Sequence, residues 1–289
     1  MAAPETKDLY LSPCVLNEQD FHDFSTLIYK VCGIKMPPAK KTMLAGRLAK
    51  RLRVLGMRSY REYFDYVTSP AQQSLELREM VDVVTTNKTD FFRELNHFDY
   101  LQAKILPSYN KNISWKRTAS FKAWSAGCAT GEEPYTLAII LNEFADHHRG
   151  FQFDILATDI CVTVLKKAYM GIYDEEQIDP VPVNLRRKYF FRSKDREKRE
   201  VRVCPKLRQQ IRFRRINLLE DDPGWGEPMD IIFCCNVIIY FDRPTQYRVL
   251  CKLCEHLSTG GILFLGHSET VSGFDLPLEM VESTIYKKI

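Results

Sequence analysis

The sequence predicts an α/β protein: a mostly parallel sheet with helices on both faces, preceded by a small all-α domain and interrupted by a small inserted antiparallel β-subdomain. Three observations predict it. Residues 1–85 carry apolar residues at helical spacing, with no strand-like alternation. From Phe121 onward, short apolar runs alternate with helical stretches, the pattern of a parallel sheet. One connection, about residues 171–212, is long and holds strand-like runs of its own.

In the first domain, Asn17–Val31, Ala39–Leu55, Ser59–Val67 and Gln72–Val84 read as helices, punctuated by Gly33, Pro37-Pro38, Gly56 and Pro70. Ser59 suits an N-cap, with Glu62 at the capping-box position, and Gly56 suits a helix stop. Leu44, Leu48, Leu52 and Leu55 define one buried face, and Lys40, Arg47 and Arg51 fall together beside it, so this helix is expected to present a basic stripe. Residues 86–120 are expected to link the two domains.

In the second domain the expected strands are Phe121–Ser125, Phe153–Ala157, Ile211–Ile216, Asp230–Cys235 and Gly261–Leu265. Helices are expected at about Pro134–Phe144, Thr163–Ala168 and Gln246–His256. Within the long insertion, Lys188–Arg192 and Glu200–Pro205 look like short strands flanking a polar tip, Ser193–Arg199. Ligands in such folds sit at the carboxyl ends of the strands.

The composition excludes several classes. Of 289 residues, 45% are hydrophobic and 27% charged, which rules out wholesale disorder. The apolar run Ile231–Phe241 contains Asn236 and is too short to span a bilayer, and MAAPETKDLY lacks a signal-peptide core, so a cytoplasmic protein without membrane insertion is expected. Nine scattered cysteines are an odd count for a disulfide framework. The lone Cys251–Cys254 pair, with only His256 nearby, falls short of four zinc ligands, so no metal site is expected.

Charge is uneven. Met36–Arg61 has eight basic residues and no acidic one; Arg186–Arg215 has fourteen basic and three acidic. Two such patches on a chain of net charge +4 suggest an acidic macromolecular partner, and the simpler reading is a solvated face.

The turn after the first strand, Ala126-Gly127-Cys128-Ala129-Thr130-Gly131-Glu132-Glu133-Pro134, carries glycines that let backbone approach a ligand. Its two carboxylates would repel a pyrophosphate, which disfavours dinucleotide and P-loop readings. Asp159 ends the second strand, where an acid commonly binds both ribose hydroxyls, and Asn217 ends the third, where an amide or backbone N–H can read an adenine edge. Gly127, Glu133, Asp159 and Asn217 together outline a pocket for a nucleoside with a positive tail, the shape of S-adenosylmethionine.

With these residues in place, the chain resembles the chemotaxis receptor methyltransferase family (CheR). The resemblance rests on Thr85–Glu94 (TTNKTDFFRE), Trp124–Tyr135 (WSAGCATGEEPY), Thr158-Asp159-Ile160, Gly171-Ile172-Tyr173, Asn217-Leu218-Leu219, Phe233–Asp242 (FCCNVIIYFD) and Gly266-His267-Ser268-Glu269. It implies an S-adenosylmethionine-dependent, Rossmann-like methyltransferase domain that esterifies glutamate side chains on the cytoplasmic helices of chemoreceptors. Asn87, Thr89, Arg93, Glu133, Asp159, Asn217 and Leu218 match cofactor-contacting positions, and Asn236 and Tyr240 match positions near the methyl group. Arg93 and Tyr240 are the expected catalytic residues; the alternative for Arg93 is an ion pair with Glu94 or Asp90. The family also implies receptor contact through the basic helix, Lys40–Arg53, and in some members capture of a receptor tail peptide by the β-subdomain. A monomer is expected.

There are departures. Cys235 stands where the family has an arginine beside the cofactor, and a thiol supplies neither that charge nor its forked donors. This keeps a second reading open, a cofactor-binding sensor with little or no turnover. A nucleic-acid methyltransferase is the third reading, but the stretch Asn236–Tyr240 has no prolines and no stacking platform accompanies the basic residues, so no nucleic acid is expected.

Overall fold

The computed structural model describes residues 14–70, 73–112, 120–195, 197–220, 222, 224 and 226–289. The first ten residues, Gln72 and Arg196 at the insertion tip lie outside them. The chain divides into two compact units, Met1–Thr85 and Thr86–Ile289.

Among the described residues, the first unit has four α-helices, α1 (Glu18–Cys32), α2 (Lys41–Leu55), α3 (Tyr60–Thr68) and α4 (Gln73–Val84), and a 3-10 turn, Pro38–Lys40. Asn17 caps α1 by accepting from the Asp20 N–H, and Ser59 caps α3 by accepting from the Glu62 N–H. Glu62 reaches back to the N–H of Arg58, one residue beyond the expected capping-box partner. Leu44, Leu48 and Leu52 are buried, with Phe24, Ile28, Tyr63 and Val67 in the same core. The expected basic stripe is largely spent inside the unit. Arg51 forms a bidentate pair with Glu76 (2.9 and 2.8 Å) and reaches Glu79, Arg47 donates to the Val84 carbonyl, and Lys41 pairs with Glu18. Of the basic residues on α2, only Lys50 and Arg53 are exposed.

The second unit begins with residues expected to be a linker. They are helical from Leu95 to Asn112 (α5, Leu95–Tyr100; a π-helical turn, Leu101–Ile105; α6, Leu106–Asn112), and Phe91, Phe98, Leu101 and Leu106 are buried in the main core. Short apolar spacing with polar interruptions hides this helix in the sequence; its burial comes from tertiary packing.

The large sheet has the order β6-β2-β1-β7-β8-β10-β9. It comprises β1 (Phe121–Ala126), β2 (Phe153–Asp159), β6 (Ile211–Arg215), β7 (Met229–Cys234), β8 (Leu257–Leu265), β9 (Leu278–Glu282) and β10 (Ile285–Lys288). The first five are mutually parallel, and β10 and β9 close the sheet antiparallel. Strand order reverses between β1 and β7, which places the ligand crevice at their carboxyl ends. Strands β9 and β10 do not follow from the sequence, since β9 is partly or fully exposed throughout and β10 has only two buried residues, Ile285 and Tyr286; β8 begins four residues before the expected Gly261.

Helices α7 (Glu132–His147), α8 (Val162–Met170) and α11 (Arg243–His256) connect the parallel strands. The insertion forms a three-stranded antiparallel sheet, β3-β5-β4, from β3 (Ile172–Asp174), β4 (Phe190–Arg192) and β5 (Glu200–Val203). Lys188 and Tyr189 end helix α9 (Val183–Tyr189) and Pro205 starts helix α10 (Pro205–Gln209), so both expected strands are shorter than read.

Candidate active site

The loop after β1 is fixed by backbone. Gly127 and Cys128 donate to the Thr158 carbonyl (2.8 and 2.9 Å), and the Ala129 N–H donates to Asp159 Oδ2 (2.9 Å). Asp159 takes the Cys161 N–H on its other oxygen and, through its carbonyl, the Ile216 N–H (3.0 Å). The ends of β1, β2 and β6 are thereby held together, with Asn217 buried next in line and capping its own turn through Leu219. Leu218 packs against the buried cluster beneath β7.

Gly127 has φ +90°, and a Cβ there would lie 2.4 Å from Val237 Cγ2, so the β1 and β7 loops meet with no room for a side chain. Gly131, at φ +101°, starts α7 against Ala168 and the Tyr173 hydroxyl.

Two carboxylates follow in the first turn of α7, where the helix dipole favours them. Glu133 accepts from Ser125 Oγ (2.6 Å), and Glu132 accepts from Thr130 Oγ1 (2.7 Å). Burial pushes each carboxyl up to about 7. A cation placed beside Glu133 would favour its ionised form, which suits a ligand with a positive tail.

At the other side of the crevice, Arg93 donates to Asn236 Oδ1 (3.0 Å) and to the Lys88 carbonyl (3.0 Å), rather than pairing with Glu94 or Asp90. Asn236 is in the left-handed region at φ 60°, a conformation asparagine tolerates. Two buried carboxylates hold it there. Glu94 Oε1 accepts from Asn236 Nδ2 (2.8 Å) and from the His267 N–H (3.2 Å). Glu269 accepts the N–H groups of Asn236 (2.8 Å), Gly266 (2.7 Å) and Ile239 (3.1 Å). Tyr240 closes the 3-10 turn Ile238–Tyr240 that Glu269 anchors, and is half-buried. Asn87 and Thr89, also half-buried, lie on the segment leading to Arg93.

Cys235 points into the core. Its sulfur lies 3.8 Å from the Phe264 carbonyl and 3.8 Å from His97 Nδ1, and burial pushes the thiol well above its usual range. It neither supplies a charge nor joins the Arg93–Asn236 pair. The positioning roles of Glu94 and Glu269 were not read from sequence, although both fall inside quoted motifs. Their partners lie 142 and 33 residues away, beyond any local pattern.

Glu133, Asp159 and Asn217 lie at or just after the carboxyl ends of β1, β2 and β6, the edge where sheets of this kind bind ligands. Comparisons with known proteins identify the class as S-adenosylmethionine-dependent methyltransferases. Residues 87–287 match the CheR methyltransferase SAM-binding domain, and residues 19–85 match the CheR methyltransferase all-alpha domain. The chain belongs to the CheR methyltransferase family. It is 37% identical over 263 residues to a chemotaxis protein methyltransferase of Borreliella burgdorferi, covering 91% of each chain. It is 36% identical to chemotaxis protein methyltransferase 2 of Pseudomonas aeruginosa, covering 93% of this chain and 92% of that one, and 34% identical to the Escherichia coli chemotaxis protein methyltransferase, covering 94% and 91%. Among the described residues, no helix is long and apolar enough to cross a membrane.

Proposed function

We propose that this chain esterifies glutamate side chains on the cytoplasmic helices of chemoreceptors, in the adaptation step of chemotaxis. The observation that carries the reading is the pinned Arg93–Asn236 pair beside a crevice whose acids suit a cationic nucleoside.

In this reading Asp159 would hold the ribose, Asn217 and Leu218 would border the adenine, and Asn87, Thr89 and Glu133 would complete the cofactor site. Bound there, S-adenosylmethionine would supply a methyl group on a positively charged sulfur for transfer to a carboxylate oxygen, leaving as the neutral thioether. The substrate glutamate, with an ordinary pKa of about 4.3, is already ionised at neutral pH, so the site needs no general base. What the protein supplies is alignment and exclusion of water. Arg93, with two of its N–H groups already committed, is placed to orient the incoming carboxylate without neutralising it fully. Tyr240 shapes the same centre. Cys235 acts from behind, through packing.

For the partner, Lys50 and Arg53 are the exposed basic groups of α2 and the proposed receptor contacts. The edges of the β3-β5-β4 sheet, with Phe191 exposed, offer a place for a receptor tail peptide by strand addition.

The test uses methyl-labelled S-adenosylmethionine, the purified protein and chemoreceptor-containing membranes, with RNA in parallel. Alkali-labile label on the receptor, released as methanol, is the expected result. Alkali-stable label on RNA, or cofactor binding without transfer, overturns it.

A further inference from the structure

Behind the Arg93–Asn236 pair lies a cluster that the methyl-transfer reading does not use. The ligand-type atoms of Glu94, His97 and His267 lie within 4.8 Å of one another, and among the described residues this is the only such group of His, Cys, Asp or Glu. The Cys235 sulfur borders it, 3.8 Å from His97 Nδ1.

The hydrogen bonds decide what this cluster lacks. Thr284 Oγ1 lies 2.7 Å from the Ser283 carbonyl, which can only accept, so the threonine proton is spent there. The same oxygen, 2.8 Å from His97 Nε2, therefore accepts the imidazole N–H. That assigns the proton of neutral His97 to Nε2 and leaves a lone pair on Nδ1. Nδ1 faces Glu94 Oε2 at 3.3 Å. Glu94, with its side chain 8% exposed, uses Oε1 for Asn236 and His267, while Oε2 is buried without a hydrogen-bond partner. Two lone-pair atoms thus meet in a buried space, with the exposed His267 ring beside them, its centroid 5.6 Å from that of His97. A buried carboxylate oxygen is costly without a partner, and a cation between the donors would satisfy both.

We propose that Glu94, His97 and His267 bind a divalent transition-metal cation of the zinc class, with water in the remaining position. Tetrahedral zinc with bonds of about 2.0–2.1 Å to nitrogen and oxygen and about 2.3 Å to sulfur places neighbouring ligands on the order of 3.3–3.6 Å apart. The observed Oε2–Nδ1 separation, 3.3 Å, matches that. The mixed carboxylate and imidazole set suits zinc or cobalt rather than magnesium or calcium. Thr284 plays the supporting part, since ligating histidines characteristically donate the other ring N–H to a fixed acceptor. His267 provides the entry path. Because Glu94 Oε1 holds Asn236, a cation on Oε2 stiffens the residue that holds Arg93, so the metal would tune the site without taking part in methyl transfer.

The test uses the full-length chain, stripped with chelator and desalted, then titrated with zinc or cobalt. One metal per chain is expected, with a visible tetrahedral cobalt spectrum. Exposed His267→Ala should weaken binding by at least about tenfold, as loss of a ligand requires. Glu94→Gln separates the proposal from a folding defect. Its carbonyl oxygen can keep the Asn236 and His267 bonds while its amide donates to His97 Nδ1, so it should bind no metal and yet melt higher than the metal-free parent. Absence of stoichiometric metal in the parent, or binding unchanged by Glu94→Gln, overturns the proposal.

Discussion

In the helical unit, Arg51 and Glu76 sit nearly buried, with side chains 13% and 7% exposed, and Tyr63 adds a hydrogen bond of 2.9 Å to the same carboxylate. A few residues away on α2, Lys50 and Arg53 stand in solvent. In the second unit the carboxylates of Asp159, Glu94 and Glu269 are buried too, but they face backbone and amide N–H groups rather than cations. The contrast separates three uses of charge. A paired buried charge holds one unit together, an N–H-bound carboxylate fixes loop shape at a site, and an exposed cation is free for a partner. Charge counting along the chain treats all three alike.

The predictions probe that division. Arg51→Ala should cost the most, about 3 kcal/mol, because it leaves Glu76 buried without its cation. Denaturant unfolding measures it, and a loss below about 1 kcal/mol would place the pair with surface ion pairs instead. Gly127→Ala should weaken cofactor affinity by at least about tenfold, since a left-handed residue costs roughly 1–2 kcal/mol and the new Cβ strikes Val237. Adding Val237→Ala should recover only the clash, leaving the backbone cost, as calorimetry would show. Arg93→Ala should lower kcat by at least about tenfold, less than the roughly hundredfold for a donor that neutralises charge in the transition state because Arg93 orients instead, with an unchanged melting temperature.

Glu133 gives a pH signature. Its carboxyl titrates at about 7 without ligand, and the ionised form suits a cationic tail. Cofactor binding should therefore release a proton, and affinity should fall as pH drops below 7, by up to about tenfold per unit, levelling off above it. Titration calorimetry in buffers of different ionisation enthalpy reads the proton, and Glu133→Gln should flatten the profile. The smallest effect is expected from Lys50→Glu with Arg53→Glu. Stability should stay within about 0.5 kcal/mol, while receptor methylation falls a few-fold, most at low salt. A large loss of stability would show that these charges belong to the fold.

Much of this was legible in the sequence because burial leaves a local period. The leucines of α2, the apolar runs of β1, β2 and β7, and the glycine-acid turn at 126–134 each announce their element and face. The helix at residues 95–112 and the antiparallel strands β9 and β10 were not legible, since short polar-interrupted segments gain their order from what they pack against.

By itself, then, the sequence determined the helical character of the first unit, the order of the parallel strands and the chemical character of the loop after β1, because backbone preference and apolar spacing act over a few residues. Only the tertiary structure decided which charges are spent and which are available. Arg51 meets Glu76 across 25 positions, Asn236 meets Glu94 across 142, and His97 meets Thr284 across 187. Such pairings depend on where the chain returns in space, and a hydrogen bond's donor and acceptor roles are settled only when the last neighbour is in place.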